Sequence, residues 1–94
     1  MNKYESVVII NSSLEEAKIK EIIAKFTDLI NKHGKVESTD EVGAKKLAYE
    51  IKKQTEGYYV IFQFEAEPSF IAELERVYRI TDEVIKFIVV RKED

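Results

Sequence analysis

Ninety-four residues are enough for one domain, residues 1–94, and the 45% hydrophobic and 35% charged side chains place it among globular rather than disordered chains. The absence of cysteine excludes disulfides and thiolate metal sites and fits a reducing cytoplasm, and the lone His33 cannot build a zinc site. A formal net charge of −3 excludes coating of nucleic acid by bulk positive charge, so any RNA contact has to be local or shared with a more basic partner.

Residues 3–11 are rich in β-branched types and end at the turn-forming Asn11-Ser12-Ser13, which predicts strand one. Its apolar run, Val7 to Ile10, is far too short for a membrane span or a secretion leader, so no membrane association is expected. Ser13 and Glu16 have capping-box spacing and predict a helix from about Leu14 to His33. Within it Ile19, Ile22, Ile23, Phe26, Leu29 and Ile30 fall on one face. Gly34 is expected to close that helix in the left-handed conformation.

Strand two, from about Lys35 to Lys53, is long, and Gly43 in its middle predicts a bulge or bend. Beyond it Leu47, Tyr49 and Ile51 are expected on one face, and Gln54-Thr55-Glu56-Gly57 reads as the hairpin connection. Strand three alternates strictly, with Tyr58, Val60, Phe62 and Phe64 on one side and Tyr59, Ile61, Gln63 and Glu65 on the other. Pro68 suits the first turn of a second helix with Phe70, Ile71, Leu74, Val77 and Tyr78 as its apolar stripe. Asp82 and Glu83 end it, Val84 to Val90 form the last strand, and Lys92-Glu93-Asp94 reads as a tail.

The order βαββαβ, with right-handed crossovers, predicts a ferredoxin-like α+β fold: a four-stranded antiparallel sheet with two helices on one face. A sheet covered on one side needs apolar residues on that side only. With Val8, Ile10, Leu47, Val60, Phe62, Phe64, Phe87 and Val89 turned to the helices, Val7, Ile9, Tyr59, Ile61, Ile88 and Val90 are left to face away, exposed. A contiguous apolar patch of that kind marks a partner surface.

Chemistry is not indicated. A nucleophile, a base and an orienting carboxylate are needed for triad catalysis, and His33 at a helix C-terminus complements the dipole instead. Asn11-Ser12-Ser13 lacks the arginine and glycine-rich cradle of a small phosphatase loop. The carboxylate neighbours Glu15-Glu16 and Asp40-Glu41 point in different directions, and the glycines at 34, 43 and 57 form no phosphate or dinucleotide fingerprint. No enzyme activity, cofactor, metal or small-molecule substrate is expected. Base stacking on the sheet is a poor fit as well, since Tyr4 and Tyr59 are followed by no second outer aromatic.

Cations near the last strand, Arg79, Lys86, Arg91 and Lys92, form the preferred RNA-binding patch. Lys3 joins them on strand one, with strands one and three taken as outer strands flanking or neighbouring the last. Lys45 and Lys46 in the hairpin are RNA-binding candidates too, although they point to opposite faces if strand two is regular there, so at most one meets a given phosphate surface unless the bulge at Gly43 reorients them.

Several strings carry a resemblance in order and spacing: Lys3-Tyr4-Glu5, Gly43-Ala44-Lys45-Lys46-Leu47-Ala48-Tyr49, Glu56-Gly57-Tyr58-Tyr59, Glu73-Leu74-Glu75-Arg76 and Val89-Val90-Arg91-Lys92. Together they resemble the bacterial small-subunit ribosomal protein six family over nearly the whole length. The resemblance implies a structural protein of the cytoplasmic ribosome that binds the central domain of small-subunit ribosomal RNA together with ribosomal protein eighteen, a small basic protein. Two positions depart from the family: Val42 stands where tryptophan is frequent, and Lys46 where arginine is frequent, which removes a bidentate phosphate grip. The rival reading from another class is a regulatory or ligand-binding ferredoxin-like domain that dimerises through its open sheet.

Overall fold

A strand that alternates apolar and polar residues buries only one of its faces, and two amphipathic helices provide the cover. The computed structural model describes residues 1–92 and orders them as β1 (Asn2–Asn11), α1 (Glu16–His33), β2 (Gly34–Ile51), β3 (Gln54–Ala66), α2 (Pro68–Ile80) and β4 (Val84–Lys92). All pairings are antiparallel and the sheet order is β2-β3-β1-β4. The expected ferredoxin-like arrangement is therefore formed. Strands β1 and β3 are the central pair rather than the outer ones, because each crossover carries the chain past a neighbouring position, and β2 and β4 are the edges.

Between helices and sheet lies one core. Val8, Ile10, Val60, Phe62 and Phe64 from the strands meet Ile22, Phe26, Ile30, Leu74 and Tyr78 from the helices. Phe26 and Tyr78 pack edge to face at 4.8 Å between ring centroids, which joins α1 to α2. Burial of each large apolar side chain contributes about 1.5–3 kcal/mol, so this layer holds the two helices to the strands. Its polar interruption is Ser6 on β1, whose Oγ lies 2.7 Å from the Tyr78 hydroxyl, so each satisfies the other out of water. Burial pushes the Tyr78 phenol above its ordinary range, and the Ser6 hydrogen bond opposes that rise.

Local chemistry overrides several sequence expectations. Ser13 does not cap α1: its N–H and its hydroxyl both donate to Asn11 Oδ1, at 2.9 and 2.7 Å, and the helix starts later with Glu15 as an N-cap lacking a side-chain bond. Gly34 is extended at φ −173° and opens β2 directly, with the Val36 N–H donating to Asn31 Oδ1. Gly43 does sit in a bulge, at φ +100°, and Val42 is the extra residue between the partners of Val60 and Tyr59.

The hairpin turn is Lys52-Lys53, not Gln54 to Gly57. Both lysines take positive φ, 49° and 64°, and Ile51 pairs with Gln54. Gly57, which sequence reading assigns to the turn, lies inside β3. Lys92 belongs to β4 rather than to a tail, while Glu93 and Asp94 lie outside the described residues.

Candidate nucleic-acid and partner interface

On the side away from the helices, strand register arranges the side chains in rows across β4, β1, β3 and β2. The central row is Ile88, Val7, Ile61 and Asp40; beside it run Val90, Glu5, Gln63 and Ser38, and then Lys92, Lys3, Glu65 and Lys35. Opposite these lies the row Lys86, Ile9, Tyr59 and Gly43. The apolar patch is thus real on β4, where Ile88 and Val90 are 49% and 52% exposed, and it continues over the half-buried Val7, Ile61 and Tyr59.

Ile9 departs from expectation, being only 7% exposed. The reason is Leu47, which does not face the helices but packs with Ile9 and Ile85 on the open side, flanked by Ile51 and Tyr59. Between the Lys46–Glu56 and Ile51–Gln54 pairs, four residues of β2 stand against Thr55 alone, and this excess lets the strand end curl inward. Gly57 makes room for it: a Cβ there would collide with Ile9 Cγ2 and lie 3.4 Å from both Ile85 and Leu47. The curled end reaches β4, where Lys86 Nζ donates to the Tyr49 hydroxyl at 3.2 Å, over a ring centroid 5.5 Å away. One corner of the open face is therefore sealed by the chain's own hairpin. Tyr49, expected beside Leu47, instead stays 63% exposed as its outer rim.

A polar strap crosses the other end. Lys92 Nζ donates to Gln63 Oε1 at 2.9 Å, and Gln63 Nε2 donates to Glu5 Oε1 at 2.6 Å, tying β4, β3 and β1 together. Apolar side chains left uncovered lie between this strap and the sealed corner.

The expected cations do not form one patch. Lys3 and Lys92 are paired neighbours on the open face, and Lys86 shares that face but lies six residues along β4, roughly 20 Å away at strand rise. Arg91 pairs with Tyr4 and so turns to the helix side, where its Nη2 lies 3.5 Å from Asn2 Oδ1. Arg79, at the end of α2, holds its guanidinium 5.9 Å from the Phe87 ring centroid. Lys45 and Lys46 oppose Gly57 and Glu56 on the far edge strand and point to opposite faces. The two ion pairs among the described residues, Lys20–Glu41 and Arg76–Glu73, use none of these seven cations.

Near the bulge, Glu41 accepts from Lys20 Nζ at 2.8 Å and from the Tyr58 hydroxyl at 3.0 Å, fastening β2 to α1. The Lys20 hydrogen bond holds the Glu41 carboxyl below its ordinary range. Sequence reading missed Leu47, Tyr49 and Lys52 as contacts of β4. The signal available was Gly57: a glycine inside an otherwise unbroken aromatic strand marks close approach by another segment.

No helix among the described residues is long and apolar enough to cross a membrane. A family model described as ribosomal protein S6 matches residues 3–91. The small ribosomal subunit protein bS6 of Clostridium novyi is 50% identical over 94 residues, covering 99% of either chain. The protein of the same name from Helicobacter pylori strain P12 is 46% identical over 94 residues, which span 99% of this chain and 66% of the relative. The crystal structure of 30S ribosomal protein S6 from Thermotoga maritima is similar with a TM-score of 0.92 at 32% identity, over 97% of this chain and 87% of that one.

Proposed function

The chain belongs to the ribosomal protein S6 family, and we propose that within the small ribosomal subunit it binds the central domain of the ribosomal RNA together with ribosomal protein eighteen. It is a structural protein of the small subunit, not an enzyme, and its place is the ribosome of the bacterial cytoplasm.

The observation that carries the proposal is the uncovered strip of Ile88, Val90, Val7 and Ile61, bordered by cations that have no carboxylate partner among the described residues. A chain of net charge −3 enters an RNA assembly more readily when a basic companion neutralises phosphate, and an apolar strip gives that companion a place to dock. In this reading Val7, Ile9, Tyr59, Ile61, Ile88 and Val90 serve the protein partner, with Ile9 supporting the strip from beneath. Lys3, Lys45, Lys46, Arg79, Lys86, Arg91 and Lys92 serve the RNA from separate places on the surface rather than from one patch.

Titration of the central-domain RNA with the purified chain, with and without protein eighteen, tests this. The pair is expected to bind more tightly than either protein alone, with a shallow salt dependence attributable to this chain. A pair that binds no better than unrelated proteins rejects the proposal. Sedimentation tests the rival: a stable homodimer burying Val7, Ile61 and Ile88 would make self-association the purpose of the open face.

A further inference from the structure

Lys52, Arg79 and Lys86 come from the hairpin turn, the end of α2 and β4, yet they line one open pocket of about 210 Å³ at the edge of the sheet. Tyr78, Val84 and Phe87 form its apolar wall. Each cation is held by something other than an acid. Lys52 Nζ lies 3.4 Å from the Val84 carbonyl oxygen, Arg79 leans on Phe87, and Lys86 rests on Tyr49. Glu83, next to Val84 in sequence, lines a separate groove with Lys18 and Lys25.

Like charges brought together repel, and an anion between them converts that repulsion into attraction. An edge strand adds a row of backbone N–H groups unused by the sheet along the same border. Lys52 owes its position to a left-handed backbone, a conformation that strains a non-glycine residue and that asparagine or glycine would fill more readily. The turn thus carries a lysine toward β4 where turn chemistry alone would select a smaller side chain.

We propose that this pocket anchors a single phosphate of an RNA backbone, an inference that rests on the RNA-binding reading above. A polyanion fits better than a free ion because Lys92 lies on the same edge strand and the same face as Lys86, roughly 20 Å along it at strand rise, where a backbone that continues past the pocket meets a further cation.

The test is RNA binding measured against salt concentration, in the assay with the basic partner present. Lys52→Gln and Arg79→Gln each weaken binding about three- to tenfold, and the triple variant with Lys86→Gln lowers the slope of log affinity against log salt by about one. Arg79→Lys keeps most of the affinity that Arg79→Gln loses, and Lys25→Gln on α1 changes neither affinity nor slope. If the wild-type pair binds RNA while these variants keep its affinity and slope, the pocket inference falls and the RNA-binding reading stands. A wild-type pair that binds no RNA removes both. Stoichiometric binding of inorganic phosphate in the pocket, with RNA affinity unaffected by the variants, identifies a free-anion site and overturns the inference as well.

Discussion

Both faces of the sheet draw on the same four strands, but one is finished within the chain and the other is left partly open. On the helix side, Val8, Ile10, Val60, Phe62 and Phe64 have no exposure, and the buried polar pair, Ser6 with Tyr78, satisfies itself. On the other side, the hairpin end seals Ile9 at one corner, a Lys92–Gln63–Glu5 strap crosses the opposite end, and Ile88 and Val90 lie bare between them. Alternation therefore does more than divide inside from outside. It separates residues whose burial is completed by folding from residues that folding leaves in water.

Substitutions on β3 and β4, the strands that flank β1, test that division most strongly. Phe62→Ala removes a fully buried ring and is expected to cost about 3–5 kcal/mol in denaturant titration, enough to unfold a large share of a marginal domain. Ile88→Ala, on the open face, is expected to cost less than about 1 kcal/mol because half of the side chain is already in water. Its effect belongs in the partner assay, as a loss of affinity of about tenfold or more. A large stability loss from Ile88→Ala, with partner affinity intact, would break the comparison.

The sealed corner is intermediate between the two faces, and Gly57 is its weak point. A methyl group at this position has to displace Ile9 Cγ2, so Gly57→Ala is expected to destabilise by about 1–3 kcal/mol, as overpacking does. Chemical shifts of Leu47, Tyr49 and Lys86 should move together as the hairpin end lifts, while those of Phe26 and Leu74 stay in place. Unchanged stability would mean that the corner yields freely and that the hairpin end is not fixed against β4.

Element order, helix faces and the strict alternation of β3 were legible in the sequence, because period 3.6 and period 2 patterns report on burial directly. The corner was not. Leu47 looks like a helix-facing residue if β2 is taken as regular through it, and only the excess of four residues opposite Thr55 turns it to the open side. The helix start was missed for a similar reason: Ser13 has the spacing of a cap, but Asn11 is nearer and takes its hydroxyl. Gly57 has the composition of a turn, yet the turn is set by register and falls on two lysines. The cations were legible as residues but not as a patch, since β4 alternation sends Arg91 and Lys92 to different sides and strand length separates Lys86 from both.

A further effect concerns how the closed face tolerates its polar pair. Tyr78→Phe leaves the Ser6 hydroxyl buried without its partner and is expected to cost about 1–2 kcal/mol, whereas adding Ser6→Ala to it recovers part of that loss because no orphaned group remains. The phenol also sets an alkaline limit. Burial raises the folded-state value of Tyr78 above the ordinary value of 10.0. Its contribution is therefore fully present below pH 10 and is lost as pH rises beyond that toward the folded value, since only the unfolded chain then releases the proton. Denaturation midpoints measured between pH 9 and pH 11 should fall less steeply for Tyr78→Phe than for the parent chain. Tyr58, raised first by desolvation and then by its bond to Glu41, and Lys20, raised by its hydrogen bond to the same carboxylate, remain in both proteins and contribute to the residual slope. Equal slopes would mean that Tyr78 ionises as readily in the folded chain as in the unfolded one, and that the helix-side layer admits water where the open face was supposed to be the wetter of the two.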